Sequence, residues 1–254
     1  MNEAAPYRQV IEDYEALEPG EGDSWNPLNT DFELLYRLRL MYSAKRAMKA
    51  AKIKAESIRV LDLGCGNGRS TRMYLDLGLL PGQLRGVDLR PGAVAAATLR
   101  NPAIEYLVYD GVRIPPATGG DGYDWVQLST VVSSVKDPDT RRLIVKQIEK
   151  TLKPDGYVFY FDLVAANRFA GGDAISPEQN LFGRYRVVWR KRFYSWSLLP
   201  FRDCLWTLSG VVKDARSVPG FLLLLPRLFK AVAFALTVPI HEAMLVRRPP
   251  AREP

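Results

Sequence analysis

The chain contains 254 residues, of which 47% are hydrophobic and 25% are charged, with two cysteines and one histidine. This composition excludes an intrinsically disordered chain, and two cysteines are too few for a disulfide framework or a cysteine-built zinc site. The amino terminus lacks the basic and then apolar order of a signal peptide. The sequence therefore predicts a globular, cytoplasmic protein.

The net charge of +7 is distributed unevenly along the chain. Residues 1–35 carry an excess of eight acids, whereas residues 36–59 carry an excess of seven bases and residues 164–254 an excess of eight bases. A basic surface favours an anionic partner. Nucleic acid, phospholipid headgroups and phosphorylated small molecules are the alternatives to ordinary solvated faces.

The predicted elements begin with a helix over residues 32–55, which follows an acidic arm. Short β-branched runs then alternate with helical patterns near residues 69–78, 91–100 and 138–152. The predicted strands are Ile58–Leu63, Gln83–Asp88, Ile104–Tyr109, Tyr123–Leu128 and Gly156–Leu163. This alternation predicts a parallel sheet with helices on both faces, whose ligands bind beyond the carboxyl ends of the strands.

One apolar segment, residues 218–240, is long enough to be mistaken for a membrane span. Arg227 and Lys230 lie near its centre and three prolines interrupt it, so a transmembrane helix is excluded. Residues 221–238 can still form one apolar helix face. That face either packs on a core or makes peripheral contact with a membrane, which would be the inner membrane surface.

A glycine-rich turn follows the first predicted strand, in the sequence VLDLGCGNGRS. Gly64, Gly66 and Gly68 allow a tight turn and close approach of the backbone to a ligand. A dinucleotide fingerprint would need a glycine where Arg69 stands, so NAD and FAD are disfavoured. No sequence typical of a nucleotide-triphosphate loop is present.

Two acids follow the next strands. Asp88 ends the second predicted strand 20 residues after Gly68, where a carboxylate can accept both ribose hydroxyls of an adenosine-type ligand. Asp110 follows the third strand, at a position suited to accept from an exocyclic amine. The alternative for each is a solvated loop acid.

Five motifs in order resemble those of class I S-adenosylmethionine-dependent methyltransferases: VLDLGCGNGRS, GVDLR, VYDG, YDWVQLSTVVSSV and IEKTLKPDGYVFYFDL. The resemblance covers residues 58–165. It implies a Rossmann-like α/β fold with a seven-stranded, mostly parallel sheet whose antiparallel last strand is Ile240–Val246. It also implies three regions: an acidic arm and basic helix at residues 1–56, a cofactor-binding core at 57–165, and a substrate or cap region at 166–254.

The resemblance implies that S-adenosylmethionine is the cofactor, held at the ends of successive strands. The glycine turn passes the methionyl part, Asp88 binds the ribose, Asp110 borders the adenine, Ser129 lines the methyl-donor site, and Asp62 orients the amino group. The full set of implied cofactor-binding residues is Asp62, Gly64, Cys65, Gly66, Gly68, Asp88, Leu89, Asp110, Gly111, Leu128, Ser129 and Arg39.

Three further segments resemble a bacterial subgroup of small-molecule methyltransferases often associated with glycan or natural-product biosynthesis: Trp25-Asn-Pro27, Tyr36-Arg-Leu-Arg39 and Phe159-Tyr-Phe-Asp162. Arg37 or Arg39 could pair with the cofactor carboxylate in a bidentate manner. The alternative is a surface arginine on an amphipathic helix.

The chemistry of methyl transfer requires mainly alignment, because the methyl group of a sulfonium ion is already activated. A base helps a hydroxyl acceptor and is unnecessary for a carboxylate. Asp162, Tyr160 and His241 are the candidate catalytic residues, with a structural hydrogen bond as the alternative for His241. No metal is predicted, since Asp137 and Asp139 are better explained by a turn and a helix cap.

The predicted reaction is methyl transfer to a hydroxyl or carboxylate of a small-molecule or glycan acceptor, including anionic or lipid-linked ones. Nucleic-acid base amines are disfavoured, because Leu128-Ser-Thr-Val131 stands where such enzymes carry N-P-P-Y. The alternatives are an RNA or protein methyltransferase of the same fold and a non-catalytic cofactor-binding or membrane-surface protein. Substrate contacts are expected from the amino-terminal arm and residues 164–240.

Overall fold

The computed structural model describes residues 7–8, 11–12, 31–111, 113–117, 120–135, 137–163, 181–182, 184–194 and 239–249. Within these ranges the α-helices are α1 (Asp31–Ala50), α2 (Arg69–Asp76), α3 (Pro91–Arg100) and α4 (Pro138–Thr151). The strands are β1 (Val60–Leu63), β2 (Leu84–Asp88), β3 (Glu105–Val108), β4 (Tyr123–Ser129), β5 (Leu152–Leu163), β6 (Arg186–Tyr194) and β7 (Pro239–Arg247). Short 3₁₀ helices lie at Ala55–Ser57, Pro81–Gln83 and Val132–Ser134.

The seven strands form one sheet in the order β3-β2-β1-β4-β5-β7-β6. β1 pairs in parallel with β2 and β4, and β2–β3 and β4–β5 are also parallel. The last strands are antiparallel, which confirms the predicted mixed sheet. Because the strand order reverses between β1 and β4, the carboxyl ends of these strands flank a crevice where ligands of such sheets bind.

Burial explains why the central strands are so apolar. All four residues of β1 are buried, as are six of the seven residues of β4, because helices cover both faces of a parallel sheet. α4 buries Ile144 and Ile148, one turn apart. Its first turn is capped by Asp137, whose side chain accepts a hydrogen bond from the Thr140 amide at 2.8 Å. This confirms the predicted cap.

A chain of buried hydrogen bonds fixes the start of α2 against the sheet. Asp62 of β1 accepts from Ser70 Oγ at 2.7 Å and from Thr71 Oγ1 at 2.6 Å. It also accepts from Gln127 Nε2 of β4 at 3.0 Å, and the Tyr74 hydroxyl donates to Gln127 Oε1 at 2.7 Å. Since α2 begins directly after the glycine turn, this network also holds the turn in place.

Two strands differ from the sequence-based prediction. β5 begins at Leu152 rather than at Gly156, with a register shift in its pairing with β4 between Tyr123 and Trp125. β6 was not among the predicted strands, and its sequence, RVVWRKRFY, is rich in basic and aromatic residues. It occupies the edge of the sheet, where Arg186 and other charged side chains interrupt the apolar alternation that identifies an inner strand.

The chain divides into two compact units, residues 1–191 with 242–254 and residues 192–241. In the second unit only the strand residues 192–194 and 239–241 are described. Residues 13–30 of the acidic arm and residues 221–238 lie outside the described residues, and the predicted three-region division stays a prediction. Among the described helices, none combines the length and the apolar character needed to cross a bilayer.

Candidate active site

A cavity of about 500 Å³ opens at the carboxyl ends of β1, β2 and β4. Its lining includes the glycine turn after β1, the acid that ends β2 and the residues that end β4. Side chains from α1 and from the amino-terminal segment also contribute. The volume lies within the usual range for small-molecule and cofactor sites. The crevice predicted from the strand order is therefore a formed pocket.

The glycine turn adopts a backbone that other residues rarely adopt. Gly64, Gly66 and Gly68 have φ values of 77°, 53° and 79°. A Cβ atom on Gly64 would lie 2.5 Å from Cγ2 of Val131, so this position lacks both the conformational freedom and the space for a side chain. The turn therefore presents bare backbone to the cavity.

Hydrogen bonds tie the turn to its neighbours. The amides of Gly64 and Cys65 donate to the Val87 carbonyl at 2.8 and 3.0 Å. Gly64, Cys65 and Gly66 line the cavity, whereas Gly68 is the residue that precedes the first turn of α2. Burial raises the pKa of the Cys65 thiol, so this side chain is present as a neutral thiol at neutral pH.

Gly64→Ala is expected to lower the affinity for S-adenosylhomocysteine by about tenfold or more, because the added methyl group meets Val131 and the positive φ is strained. Titration calorimetry measures the affinity. Gly82→Ala is the matched control, since a Cβ there meets nothing within 4 Å. Equal affinities of the two variants would contradict the close approach of ligand and turn.

Asp88 lies at the centre of the cavity's hydrogen bonding. It is 8% exposed and lines the cavity together with Leu89. One of its oxygens accepts from the Gly66 amide at 2.8 Å. The other accepts from the Arg90 amide at 3.1 Å and forms an ion pair with the Arg90 guanidinium at 3.3 Å. A carboxylate has about four acceptor sites, and these contacts occupy three of them, so it retains capacity for a ligand hydroxyl.

The end of β4 meets α1 at the cavity wall. The hydroxyls of Tyr36 and Ser129 are hydrogen-bonded at 2.7 Å, and both residues line the cavity. The Tyr36 ring packs edge-on against Phe161, and the Arg69 guanidinium lies over it at 5.3 Å from the centroid. Burial raises the pKa of Tyr36 to about 12, so its hydroxyl stays protonated at neutral pH.

Thr130 continues this wall in a strained conformation. Its φ is 55°, which is an outlier for a β-branched residue. The Thr130 amide donates to the Phe161 carbonyl at 2.8 Å, and this bond across β4 and β5 helps to hold the strained turn. Such strain tends to be kept at functional sites.

Asp62 is fully buried and is not among the cavity-lining residues. Its oxygens accept hydrogen bonds from two hydroxyls of α2 and from Gln127 of β4. Burial raises its pKa, although these hydrogen bonds act in the opposite direction. The structure therefore places Asp62 behind the glycine turn, on its sheet side.

Asp162 supports the loop after β4. It is fully buried, and its Oδ2 accepts from the amides of Val132 and Ser133 at 3.0 and 3.1 Å. These amides begin the 3₁₀ helix Val132–Ser134, so the carboxylate satisfies donors that would otherwise be unpaired at a helix start. Asp162 does not line the cavity, but it positions Val131 and Ser134, which do.

Asp162→Ala is expected to lower the free energy of unfolding by about 3 kcal/mol, because two buried or half-buried amides lose their acceptor. Urea unfolding followed by circular dichroism measures the loss. Asp139→Ala, at an exposed position of α4, should change the stability by less than about 0.5 kcal/mol. A loss in Asp162→Ala no greater than in this control would contradict the support role.

The other two candidate catalytic residues are not among the residues that line the cavity. Tyr160 is fully buried in β5 and packs against Phe182, with ring centroids 6.4 Å apart. His241 is 2% exposed in β7 and belongs to the second compact unit. Leu128 is fully buried in β4, next to the lining residue Ser129.

Residues at the end of β3 and in the amino-terminal segment form another part of the cavity wall. Tyr109 and Tyr7 line the cavity, and a Cβ on Gly111 would lie 2.5 Å from the Tyr7 ring. Gln147 of α4 accepts from the Tyr109 hydroxyl and donates to the Gly111 carbonyl at 2.8 Å. Asp110 is exposed, and its side chain accepts from the Arg113 amide at 2.8 Å.

The cavity's arginines differ from the predicted one. Arg39 is half-buried on α1 and is not part of the lining, which instead includes Arg69, Arg90 and Arg100. Arg69 directly follows the glycine turn and Arg90 follows Asp88, so their places beside predicted residues were a usable signal. Tyr109 directly precedes the predicted Asp110 and carried the same signal, whereas Tyr7 carried none. The described residues contain no group of three or more potential metal ligands of the His, Cys, Asp and Glu types.

Comparison with known proteins adds independent evidence. Residues 60–156 match a family model described as a methyltransferase domain. The chain is similar in structure to the N-methyltransferase NodS from Bradyrhizobium japonicum WM9, solved with S-adenosyl-L-homocysteine, with a TM-score of 0.60, 15% identity, and 96% of this chain and 98% of that chain covered. A search of curated proteins finds no significant match.

A second similar structure is an S-adenosylmethionine-dependent methyltransferase from Mesorhizobium loti, with a TM-score of 0.52, 18% identity, and coverage of 82% of this chain and 98% of that chain. A third is a putative sarcosine dimethylglycine methyltransferase from Galdieria sulphuraria, with a TM-score of 0.53, 14% identity, and coverage of 85% and 86%. At these identities the structures establish the fold alone.

The matched region 60–156 contains the glycine turn, Asp88 and the end of β4, which are the elements that meet in the cavity. The fold, the matched family model and the residues of the cavity thus agree with the five motifs found in the sequence. The chain thus contains a methyltransferase domain at residues 60–156 and is an S-adenosylmethionine-dependent methyltransferase with the class I fold.

Proposed function

We propose that this methyltransferase transfers a methyl group to a hydroxyl or carboxylate oxygen of a small-molecule or saccharide acceptor. One observation carries the proposal. A single cavity brings together the glycine turn, Asp88 and the hydroxyl pair of Tyr36 and Ser129. The glycine turn and Asp88 suit a nucleoside that carries an amino-acid group. The hydroxyl pair offers hydrogen bonds to an oxygen-bearing group bound next to that nucleoside.

The residues present fit S-adenosylmethionine. Asp88 would accept from the ribose hydroxyls, and the backbone of Gly64 and Gly66 would pass the methionyl part. Tyr109, which lines the cavity, would border the adenine in an apolar and aromatic environment suited to a base ring, whereas Asp110 and Gly111 are not among the lining residues. Ser129 would lie beside the methyl donor. When bound, the cofactor supplies an electrophilic methyl group on a sulfonium centre.

The chain's own task is then alignment and exclusion of water. Tyr36, Ser129 and Thr130 form a wall of hydroxyls that can orient an acceptor oxygen. Asp162 fixes the loop that follows, and Asp62 fixes the turn on the other side. Such positioning can contribute roughly 7–11 kcal/mol to lowering a barrier in favourable cases.

Lipid-linked acceptors remain within the proposal because the sequence of residues 221–238 combines apolar residues at helical spacing with Arg227 and Lys230. Flotation with vesicles containing anionic phospholipid tests this part. We expect binding at low salt that weakens as salt is raised. Absence of binding to anionic vesicles would remove lipid-linked acceptors and leave the soluble ones.

The proposal is tested in two steps. Titration calorimetry should detect binding of S-adenosylhomocysteine to the purified protein. Incubation with methyl-labelled cofactor and the small-molecule fraction of cell extracts, followed by mass spectrometry, should then identify an O-methylated product. Label found only in RNA or protein would instead support a macromolecular acceptor. A folded protein that binds neither S-adenosylmethionine nor its demethylated product would refute the proposal.

A further inference from the structure

Among the described residues of the cavity lining, positive charge predominates. Arg69, Arg90 and Arg100 contribute guanidinium groups, and Asp88 contributes the carboxylate. Asp88 and Arg90 form an ion pair, so their charges offset each other. S-adenosylmethionine is itself a net cation, because its sulfonium and ammonium groups outweigh one carboxylate. The guanidinium groups of the lining and the cationic cofactor would therefore both favour an anionic acceptor.

Hydrogen-bond donors converge at the end of β4. The Tyr36 hydroxyl and the Ser129 hydroxyl are 2.7 Å apart, and the Arg69 guanidinium lies over the Tyr36 ring. All three residues line the cavity. The Tyr36 hydroxyl is retained as a donor at neutral pH because burial raises the pKa of this side chain to about 12. A cationic guanidinium beside two hydroxyls is a donor set suited to a carboxylate.

We propose that Arg69, Tyr36 and Ser129 form a carboxylate-binding subsite and that the methyl acceptor is a carboxylate bound there. This inference rests on the proposed function and narrows it from oxygen acceptors in general to one class. The acceptor would carry an acidic group that is ionised at neutral pH. The product would be a methyl ester.

The reaction balances without a base. A lone pair on the carboxylate oxygen forms the new O–CH₃ bond, and the S–CH₃ bond breaks with its electron pair going to sulfur. The sulfonium becomes the neutral thioether of S-adenosylhomocysteine, and no proton is released. This chemistry fits a wall of protonated hydroxyls and a guanidinium, none of which is a base at neutral pH.

A carboxylate in this subsite has two potential sources, the acceptor and the amino-acid end of the cofactor. The position of Ser129 at the end of β4, where the resemblance places the methyl donor, favours the acceptor. The two sources differ in what they predict. An acceptor site affects turnover with little effect on cofactor affinity, whereas a cofactor site affects the affinity for every ligand that carries the amino-acid group.

The main experiment uses methyl-labelled S-adenosylmethionine and the small-molecule fraction of cell extracts. Alkali releases the methyl group of an ester as volatile methanol, whereas methyl ethers and methylamines keep it. We expect most of the enzyme-dependent label to be released by alkali. Label that remains in alkali-stable products would overturn the assignment of the acceptor as a carboxylate.

Variants locate the subsite. Arg69→Gln should lower the rate of ester formation by about tenfold or more, since a charge-assisted contact to the carboxylate is lost. Tyr36→Phe should lower it by about fivefold, which corresponds to one hydrogen bond. The matched controls are Arg72→Gln, an exposed arginine of the same helix, and Tyr42→Phe, an exposed tyrosine of α1. Rates in Arg69→Gln and Tyr36→Phe equal to those of the controls would overturn the subsite.

Calorimetry with two ligands separates the sources. 5′-Methylthioadenosine lacks the amino-acid group of S-adenosylhomocysteine, so its binding also reports whether each variant is folded. If the acceptor supplies the carboxylate, Arg69→Gln binds both ligands about as the wild type does. If Arg69→Gln weakens S-adenosylhomocysteine alone, the subsite holds the cofactor carboxylate and the acceptor assignment is overturned. Failure of the wild type to bind either ligand would refute the proposed function itself.

Discussion

Asp88→Ala is expected to weaken S-adenosylhomocysteine binding by about tenfold or more, because each charge-assisted hydrogen bond to a ribose hydroxyl contributes about 1.5–3 kcal/mol. The structure adds a second cause. The same carboxylate accepts from the Gly66 amide and pairs with Arg90, so its removal also releases the glycine turn from the end of β2. Both effects act in the same direction.

Calorimetry with a pair of variants separates these two causes. Arg90→Met removes the ion pair but keeps the carboxylate and its bond to Gly66, so it should lose much less affinity than Asp88→Ala. Asp139→Ala, an exposed acid of α4, controls for general loss of negative charge. If Asp88→Ala binds S-adenosylhomocysteine as tightly as Asp139→Ala does, the ribose assignment fails.

Local geometry explains which parts of the site were predictable. Gly64, Gly66 and Gly68 are required by the backbone of one short turn, and Asp88 follows from the end of one strand. These features depend only on neighbours in the sequence and on the rule that parallel strands bring their carboxyl ends together. For the same reason, the central strands and the order of helix and strand could be predicted from the pattern of apolar residues.

Contacts between distant segments could not be predicted in this way. Tyr36 and Ser129 are 93 residues apart, and their hydrogen bond depends on how α1 packs against the sheet. The place of Tyr7 beside Gly111 likewise depends on where the amino-terminal segment lies. No spacing rule in the sequence encodes either contact, because tertiary packing determines both.

Asp162 illustrates a third limit of sequence-based prediction, which is the direction in which a side chain points. The sequence places this acid near the end of the predicted strand Gly156–Leu163, and in the structure it lies near the end of β5. Its Oδ2, however, serves the amides of Val132 and Ser133 in the next loop. Only the path of that loop determines whether a strand-end carboxylate faces a ligand or a backbone.

Replacing Asp62 is expected to have a large effect on the stability of the fold. Asp62→Ala is expected to lower the free energy of unfolding by about 3 kcal/mol, because two hydroxyls and one amide group lose a buried acceptor. Urea unfolding measures this loss. Asp76→Ala, at an exposed position near the end of α2, is the matched control and should be nearly neutral. A loss below about 1 kcal/mol would contradict the role of the network.

The pH dependence of stability gives a separate signature of Asp62. Burial raises its pKa in the folded state above the ordinary value of 3.8, so the folded state binds the proton more tightly than the unfolded state does. The favourable contribution of Asp62 is therefore fully present below pH 3.8 and is lost as the pH rises through the raised pKa. The free energy of unfolding of the wild type, relative to that of Asp62→Asn, should therefore fall as the pH rises from 3.8 through the raised pKa.

The same residue distinguishes two ways of binding a cofactor. If Asp62 contacted the amino group of the ligand, Asp62→Asn would weaken S-adenosylhomocysteine and leave 5′-methylthioadenosine, which lacks that group, unaffected. The structure places Asp62 outside the cavity lining, where it fixes Ser70 and Thr71 behind the glycine turn. We therefore expect Asp62→Asn to weaken both ligands by the same factor, about fivefold, because a loosened turn affects the part they share. Selective loss of S-adenosylhomocysteine affinity in calorimetry would show that the side chain reaches the ligand directly.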